Sequence, residues 1–150
     1  HANASLNKEA KGFEVWYLPP EYRRKLIGPE DVELDYEEIL PILNSMKEEE
    51  YTIESILLAQ IISLEMEKLI GNVSPNRGLK KESWYVVRNA KMPSVLVELG
   101  FVTNREEFVN LRSTKYLQKL SQAIYNGINI FINYIENGVD PETTRKIFSQ

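Results

Sequence analysis

The pattern of hydrophobic and polar positions along this chain predicts short strands that alternate with amphipathic helices. Residues 13–18 alternate in the manner of a strand and are followed by two prolines. A second strand is predicted at about residues 83–88, after a turn at residues 74–78 that contains proline and glycine. Because strands and helices alternate, we expect one α/β domain with three layers, in which helices flank a largely parallel sheet.

Two long segments have the spacing of apolar residues that is typical of helices. The first is predicted to begin at Thr52, as its N-cap, and to end at Ile70, just before Gly71. Its apolar residues occupy two faces, which predicts a helix that is buried on two sides as it covers a sheet. The second is predicted from about Thr114 to Asn137, with one apolar stripe along it.

Residues 21–51 form an acidic insertion between the first strand and the first long helix. Over residues 32–46 the apolar side chains trace one helical face, and acidic side chains lie opposite. Pro41 lies too deep in this pattern for a first-turn proline. A helix in this region is therefore expected to kink or to restart at Pro41.

Charge is unevenly distributed along the chain. The net charge is −4, yet ten acidic residues and one basic residue lie between Glu30 and Glu54, which leaves 12 acidic against 17 basic residues elsewhere. The mildly positive remainder suits an anionic polymer as a substrate. Because the basic residues are not interleaved with aromatic ones, we expect no nucleic-acid partner.

The composition is that of a folded domain with its own core. The chain has 150 residues, and 43% of them are hydrophobic, which suffices for one core. No apolar run reaches the roughly 18 residues of a membrane span, so we expect none. Cysteine is absent, which excludes disulfides and thiolate metal ligands within this sequence.

The segment from Met92 to Asn104 carries the first candidate for chemistry. It has the pattern of a strand that is apolar on both faces, as in a parallel sheet, with Glu98 near its carboxyl end. A buried charge there costs on the order of several kcal/mol unless it is compensated. A metal ion with a bound water can compensate it, and so can a salt bridge to a nearby arginine. The pattern alone leaves both open.

The second candidate is His1, the only histidine of the sequence. A single histidine cannot make a catalytic zinc site, which usually takes three protein ligands and one open position. On its residue type alone, His1 is either one ligand of a larger set or a terminal residue without a metal role.

Five blocks of sequence together resemble the zinc-dependent N-acetylmuramoyl-L-alanine amidases of the amidase-3 type. The resemblance runs from residue 1 to about residue 135, with the blocks in the order that the family has. The last block is the most specific one. The blocks are His1-Ala-Asn-Ala-Ser5, Gly12-Phe-Glu-Val15, Arg77-Gly-Leu-Lys80, Trp84-Tyr-Val-Val-Arg88 and Pro93-Ser-Val-Leu-Val-Glu-Leu-Gly-Phe-Val-Thr-Asn104.

The resemblance implies a catalytic function for this domain. Such enzymes use zinc to hydrolyse the amide between N-acetylmuramic acid and L-alanine in peptidoglycan. His1 matches one zinc ligand of the family, and Glu98 matches the residue that accepts the proton of the attacking water. The family's other two ligands, a His in a Gly-His-Gly-Gly turn and a Glu, come earlier in its sequences. We therefore expect the first strands of the domain and these two ligands to be missing from this chain.

The resemblance also implies substrate contacts and a cell-envelope location. Asn3 is expected to orient the ligand or to contact the substrate, although a turn-forming asparagine is an alternative. Arg77 is expected to bind a carboxylate of the stem peptide, and a surface salt bridge is its alternative. The expected ligands are the stem peptide and the glycan, in the periplasm or outside the cell.

Some amidases of this family carry a helical insertion that plugs the active site until an activator protein displaces it. Residues 39–46 and 51–55 resemble that version. The resemblance implies that one acidic side chain takes the open zinc position, with Glu33, Glu37 and Glu38 as unranked candidates. A solvated surface helix without a regulatory role is the alternative.

The expected organisation is a catalytic domain over residues 1–138 and a helix or tail over residues 139–150. A short helix is predicted at residues 105–111, capped by Asn104 and Glu107. The large aromatic residues are assigned to the core: Trp16, Trp84 and Tyr85. A non-catalytic fragment that binds peptidoglycan or a partner, and a different zinc peptidase, remain alternative functions.

Overall fold

A computed structural model describes residues 1–19, 22, 26–32 and 38–138 of the chain. The predicted tail over residues 139–150 therefore lies outside the described residues, as do residues 21, 23–25 and 33–37 of the insertion. The elements are β1 (Phe13–Tyr17), a 3₁₀ turn (Pro29–Asp31), α1 (Leu40–Ile70), β2 (Asn76–Lys81), α2 (Tyr85–Arg88), β3 (Val95–Glu98), α3 (Arg105–Asn110) and α4 (Thr114–Asn137).

The three strands form a mixed sheet in the order β2-β1-β3. Strand β1 pairs in parallel with β2, because the long helix α1 carries the chain back across the sheet between them. Strand β1 pairs in antiparallel fashion with β3. The predicted α/β class is confirmed, but a parallel arrangement holds for only one of the two pairings. The strand that carries Glu98 is thus not in a parallel pair with β1.

The second strand is not where the pattern predicted it. Strand β2 covers Asn76–Lys81, which includes most of the predicted turn, while residues 85–88 form the short helix α2. Only Val87 of that helix is buried. The hydrophobic pattern does not predict strand β2, because the strand is polar and is stabilised by its backbone pairing with β1.

Helix α1 is longer than predicted. It begins at Leu40, so Pro41 lies in its first turn, where the missing N–H costs no hydrogen bond. Thr52, the predicted N-cap, is buried inside the helix. The predicted helix start at Thr52 is therefore wrong, as is the expectation that Pro41 lies beyond a first turn. A helix that begins beside Pro41 agrees with the predicted restart there. The end of the helix at Ile70 is confirmed.

Helix α4 is confirmed over Thr114–Asn137 and packs along α1. The two helices approach each other tightly at Gly127, where an added Cβ would lie 3.0 Å from the Ile62 Cα atom. The burial of α1 on two sides is also confirmed, since it contributes to two clusters. The main cluster contains Phe13, Val15, Ala59, Ile62, Met66, Ile70, Tyr116, Leu120 and Ala123, and the smaller one contains Leu57 and Ile61.

Phe13 and Val15 place one face of β1 against the helices. Because side chains alternate along a strand, Glu14 and Trp16 lie on the opposite face. One face of the mixed sheet therefore packs against the core, and the other carries the polar candidates.

In the described ranges, no helix has the length and apolar character that crossing a membrane requires.

Candidate active site

Glu98 and His1, the two principal candidates, are in direct contact. Glu98 ends β3 and is 6% exposed. The His1 Nδ1 atom lies 2.8 Å from the Glu98 Oε1 atom, with the His1 side chain 67% exposed. The structure therefore brings together two residues that are 97 positions apart in the sequence.

Backbone hydrogen bonds hold the first residues beside the end of β3. The Leu99 N–H donates to the His1 carbonyl over 2.9 Å, and the Asn3 N–H donates to the Gly100 carbonyl over 2.9 Å. Asn3 also forms an isolated parallel bridge with Phe101. These contacts extend the sheet past β3 and fix the position of the His1 side chain relative to Glu98.

One carboxylate oxygen of Glu98, the buried Oε2 atom, has no hydrogen-bond partner in the described part of the chain. Burial raises the pKa of the Glu98 carboxyl above its usual range, and the neighbouring Glu14 carboxylate raises it further. A buried carboxylate with one open oxygen is equipped to accept a proton from a molecule that enters the site.

Glu14 is a functional candidate that the sequence pattern did not single out. It lies directly opposite Glu98 in the β1–β3 pairing and is 4% exposed. The Arg77 Nε–H donates to its Oε1 atom, and the Asn3 amide donates to its Oε2 atom over 3.5 Å. Along β1, Glu14 alternates with the core residues Phe13 and Val15, so it lies on the opposite face of the sheet. This alternation is the sequence signal that could have identified Glu14.

Asn3 and Arg77 thus converge on Glu14. The Asn3 Oδ1 atom also accepts a hydrogen bond from the Ala4 N–H over 2.8 Å, which is a local turn contact. The Arg77 guanidinium lies 5.1 Å from the centre of the Phe101 ring and forms a salt bridge with Glu14. The alternatives of a turn asparagine and a salt-bridged arginine describe these contacts, and substrate binding by either residue stays a prediction.

The acidic insertion is only partly described. Glu33 and Glu37 lie outside the described residues. Glu38 is described and its side chain is exposed, just before α1. The role of these three carboxylates stays a prediction.

A second buried carboxylate, Glu107, joins three segments near the site. It accepts hydrogen bonds from the Gly12 N–H over 2.8 Å, the Ser74 hydroxyl over 2.6 Å and the Phe101 N–H over 2.6 Å. Asn104 caps α3 as predicted, since its side chain accepts from the N–H groups of residues 106 and 107. Glu107 was predicted to cap the same helix, but its carboxylate instead connects other segments.

The aromatic residues are less buried than predicted. Trp16 is half-buried and forms an edge-to-face pair with Trp84, with ring centroids 5.8 Å apart. Trp84 is 43% exposed and Tyr85 is 75% exposed. The assignment of Trp84 and Tyr85 to the core is wrong, because the segment predicted as a strand forms the short surface helix α2, with Trp84 as its N-cap.

The donor set fits one part of a zinc site. The His1 Nδ1 contact with Glu98 leaves the Nε2 atom as the ring nitrogen for a cation, a common arrangement for ligating histidines. Within the described ranges, no group of three or more His, Asp or Glu side chains is arranged to hold a metal ion. His1 can therefore supply one ligand of a larger set.

Comparisons with known proteins agree with the sequence blocks. The family model for N-acetylmuramoyl-L-alanine amidase matches residues 1–130. LytC, an N-acetylmuramoyl-L-alanine amidase of Bacillus subtilis, is 43% identical over 61 residues, which are 40% of this chain and 12% of LytC. The uncharacterized protein YqiI of the same organism is 46% identical over 56 residues, 37% of this chain and 27% of YqiI.

Solved structures show the same fold. The amidase AmiC2 of Nostoc punctiforme superposes with a TM-score of 0.61 and 27% identity, over 89% of this chain and 55% of AmiC2. The CwlD amidase of Clostridioides difficile, solved in complex with the GerS lipoprotein, has a TM-score of 0.62 at 24% identity, over 89% of this chain and 52% of CwlD. The chain spans about half the length of these solved relatives and a smaller share of the curated ones.

The resemblance to N-acetylmuramoyl-L-alanine amidases that the five sequence blocks indicate is thus confirmed over most of the chain. The match covers the segments that contain His1, β1, β3 and most of α4. By its sequence and its fold, the chain belongs to the N-acetylmuramoyl-L-alanine amidase family.

Proposed function

We propose that this chain forms the part of a peptidoglycan amidase that contains the catalytic carboxylate. The reaction is hydrolysis of the amide bond between N-acetylmuramic acid and L-alanine, in cell-wall remodelling or the separation of daughter cells. The observation that carries this proposal is the environment of the buried Glu98 carboxylate. One of its oxygens contacts the His1 ring, and the other has no partner in the described residues. The family membership supplies the class of bond.

In this proposal Glu98 moves the proton of the reaction. Its open Oε2 atom accepts the proton of the attacking water, and the carboxyl then donates it to the departing nitrogen of alanine. His1 holds one position of the metal through its ring and is itself oriented by Glu98. When bound, zinc would supply Lewis-acid chemistry, namely polarisation of the scissile carbonyl and activation of water.

The charge of the chain outside its acidic insertion suits an anionic substrate. Outside residues 30–54 the chain has 17 basic against 12 acidic residues, which favours binding of stem-peptide carboxylates. Asn3 and Arg77 are the proposed substrate contacts. We propose a location in the cell envelope, and the support for it is that several relatives are named as cell-wall amidases.

Metal removal tests the proposed function directly. Purified peptidoglycan or muropeptide is digested with zinc and with a chelator, and the released stem peptides are identified by mass. We expect release of peptides with a free L-alanine amino group with zinc, and a loss of at least about 100-fold with the chelator. Zinc is then added back as a control. No release by a folded, zinc-supplied protein would contradict catalysis by this chain. Its site would then be incomplete or closed by the insertion, which favours the non-catalytic binding role. Release of different peptides would indicate another bond.

We also propose that the acidic insertion inhibits the site, through Glu33, Glu37 or Glu38. Deletion of residues 30–50 would remove the first 11 residues of α1, so substitutions are the better test. Replacing the three carboxylates by Gln is expected to raise activity several-fold, because a competing anionic ligand is removed. The matched control replaces Glu49 and Glu50, which are exposed on α1. Equal activity of the triple variant and the wild type would exclude the plug.

A protein partner is a further part of the proposal. The CwlD amidase, which has the same fold, was solved with the GerS lipoprotein bound. An activator that displaces the insertion would bind this chain near residues 30–50. Co-purification with an envelope protein that is lost when these residues are exchanged would support it.

A further inference from the structure

Two buried carboxylates face each other on the polar side of the sheet. Glu14 and Glu98 are directly opposite in the antiparallel β1–β3 pairing, and they are 4% and 6% exposed. The Cα atoms of opposite residues in such a ladder are roughly 4.5–5.5 Å apart. Like charges in this arrangement repel, so the pair needs compensation.

In the described part of the chain, an arginine compensates only one of the two. The Arg77 Nε–H donates to Glu14, and the Asn3 amide lies 3.5 Å from the other Glu14 oxygen. The Glu98 Oε1 atom lies 2.8 Å from the His1 Nδ1 atom, and the Oε2 atom has no partner in these residues. Among the described residues, the arginine that contacts this pair is therefore on the carboxylate that the proposed reaction does not use.

We propose that Glu14 is a positioning residue that binds the Arg77 guanidinium and so keeps it away from Glu98. This inference rests on the proposed function, because its consequence is a Glu98 oxygen that is free to accept a proton. Glu14 also holds Asn3, which shares a short extended segment with His1.

The placement of Arg77 explains why Glu14 is needed. Its guanidinium lies over the Phe101 ring and beside Glu14, which itself lies across the strand pair from Glu98. Loss of the Glu14 charge would leave Glu98 as the neighbouring buried carboxylate. An arginine is attracted to such a group and binds it through two parallel hydrogen bonds, which would occupy Oε2.

Kinetics of three variants test the proposal: Glu14→Gln, Arg77→Gln and the double variant. We expect Glu14→Gln to lower kcat by about 10- to 100-fold with little change in KM, since a blocked proton acceptor loses general-base catalysis. Removing Arg77 as well should restore kcat to within a few-fold of Arg77→Gln alone. Because Arg77 is also a proposed substrate contact, we expect KM to rise in both variants that lack it, and kcat at saturating substrate is the quantity that is compared.

Two outcomes would overturn the positioning role. A double variant as slow as Glu14→Gln would show that Arg77 is not the cause, and an effect of Glu14→Gln on KM alone would indicate substrate binding. Lys11→Gln is the matched control, because it removes a nearby surface ion pair with Glu106 at 3.4 Å. Thermal unfolding of each variant identifies any change that is due to lost folding.

A second measurement does not depend on turnover. His1 is the only histidine, so its ring gives a single set of nitrogen resonances in NMR. At one fixed pH and without metal, Glu14→Gln should shift the Nδ1 resonance, because Arg77 competes for Glu98, and the double variant should return it towards the wild-type position. Unchanged Nδ1 resonances in folded Glu14→Gln would refute the proposal. If no variant cleaves peptidoglycan, the proposed function fails, and this measurement still decides the role of Glu14.

Discussion

Replacement of Glu98 by Gln is expected to reduce turnover by about 10³-fold or more while the protein stays folded and keeps its zinc. The substitution preserves the size of a side chain that is 6% exposed, so the packing at the end of β3 is retained. It removes the carboxylate whose free Oε2 atom is the proposed proton acceptor. Losing a general base costs typically 10²–10⁴-fold in rate. The measurement is kcat on muropeptide together with the zinc content.

A second substitution separates this role from metal binding. His1→Ala should lower both the zinc content and the activity, whereas Glu98→Gln should lower the activity alone. The two residues are in contact over 2.8 Å, so a shared phenotype would mean that Glu98 acts only by orienting His1. Substantial turnover by zinc-loaded Glu98→Gln would exclude its assignment as the catalytic carboxylate.

Replacement of Glu107 by Ala is expected to destabilise the fold on the order of 3–5 kcal/mol, the largest stability effect that we anticipate. The carboxylate accepts hydrogen bonds from Gly12, Ser74 and Phe101, which precede β1, precede β2 and follow β3. Hydrogen bonds to charged groups contribute about 1.5–3 kcal/mol each, and the truncated site would leave buried donors unsatisfied. Denaturant or thermal unfolding measures the difference.

The neighbouring residue provides a matched control for Glu107. Glu106 has the same side chain in the same turn of α3, but its side chain is 76% exposed and, among the described residues, forms a surface ion pair with Lys11. Glu106→Ala should therefore change the free energy of unfolding by less than about 1 kcal/mol. Glu107→Gln should fall between the two, because the amide keeps one acceptor oxygen. A Glu107→Ala variant as stable as Glu106→Ala would show that the three segments do not depend on this carboxylate.

Local pattern was sufficient for the elements that have a clear hydrophobic period, an apolar run or a cap. Strand β1, the strand that contains Glu98, the helical turn after Asn104 and helix α4 all lie close to their predicted positions. In β1 and α4 the period of the hydrophobic residues agrees with the element, since the core selects side chains on one face. The failures are β2 and the start of α1. Strand β2 is polar and depends on pairing with β1, and α1 begins at Leu40 instead of Thr52 because Pro41 is tolerated in its first turn.

The sequence by itself determined the family and the α/β class, and it singled out His1 and Glu98 as the proposed site residues. Each of these can be inferred from contiguous blocks of residues, which can be recognised without knowledge of the tertiary contacts. Only the tertiary structure decided that Glu98 faces Glu14, that Arg77 is bound to Glu14, and that Glu107 connects three segments. Strand register decides the first of these contacts. Hydrogen bonds between segments that are distant in sequence decide the others, such as Arg77 with Glu14 over 63 positions and Gly12 with Glu107 over 95 positions. Such contacts have no local period, because they depend on which faces of the sheet meet after the core has formed.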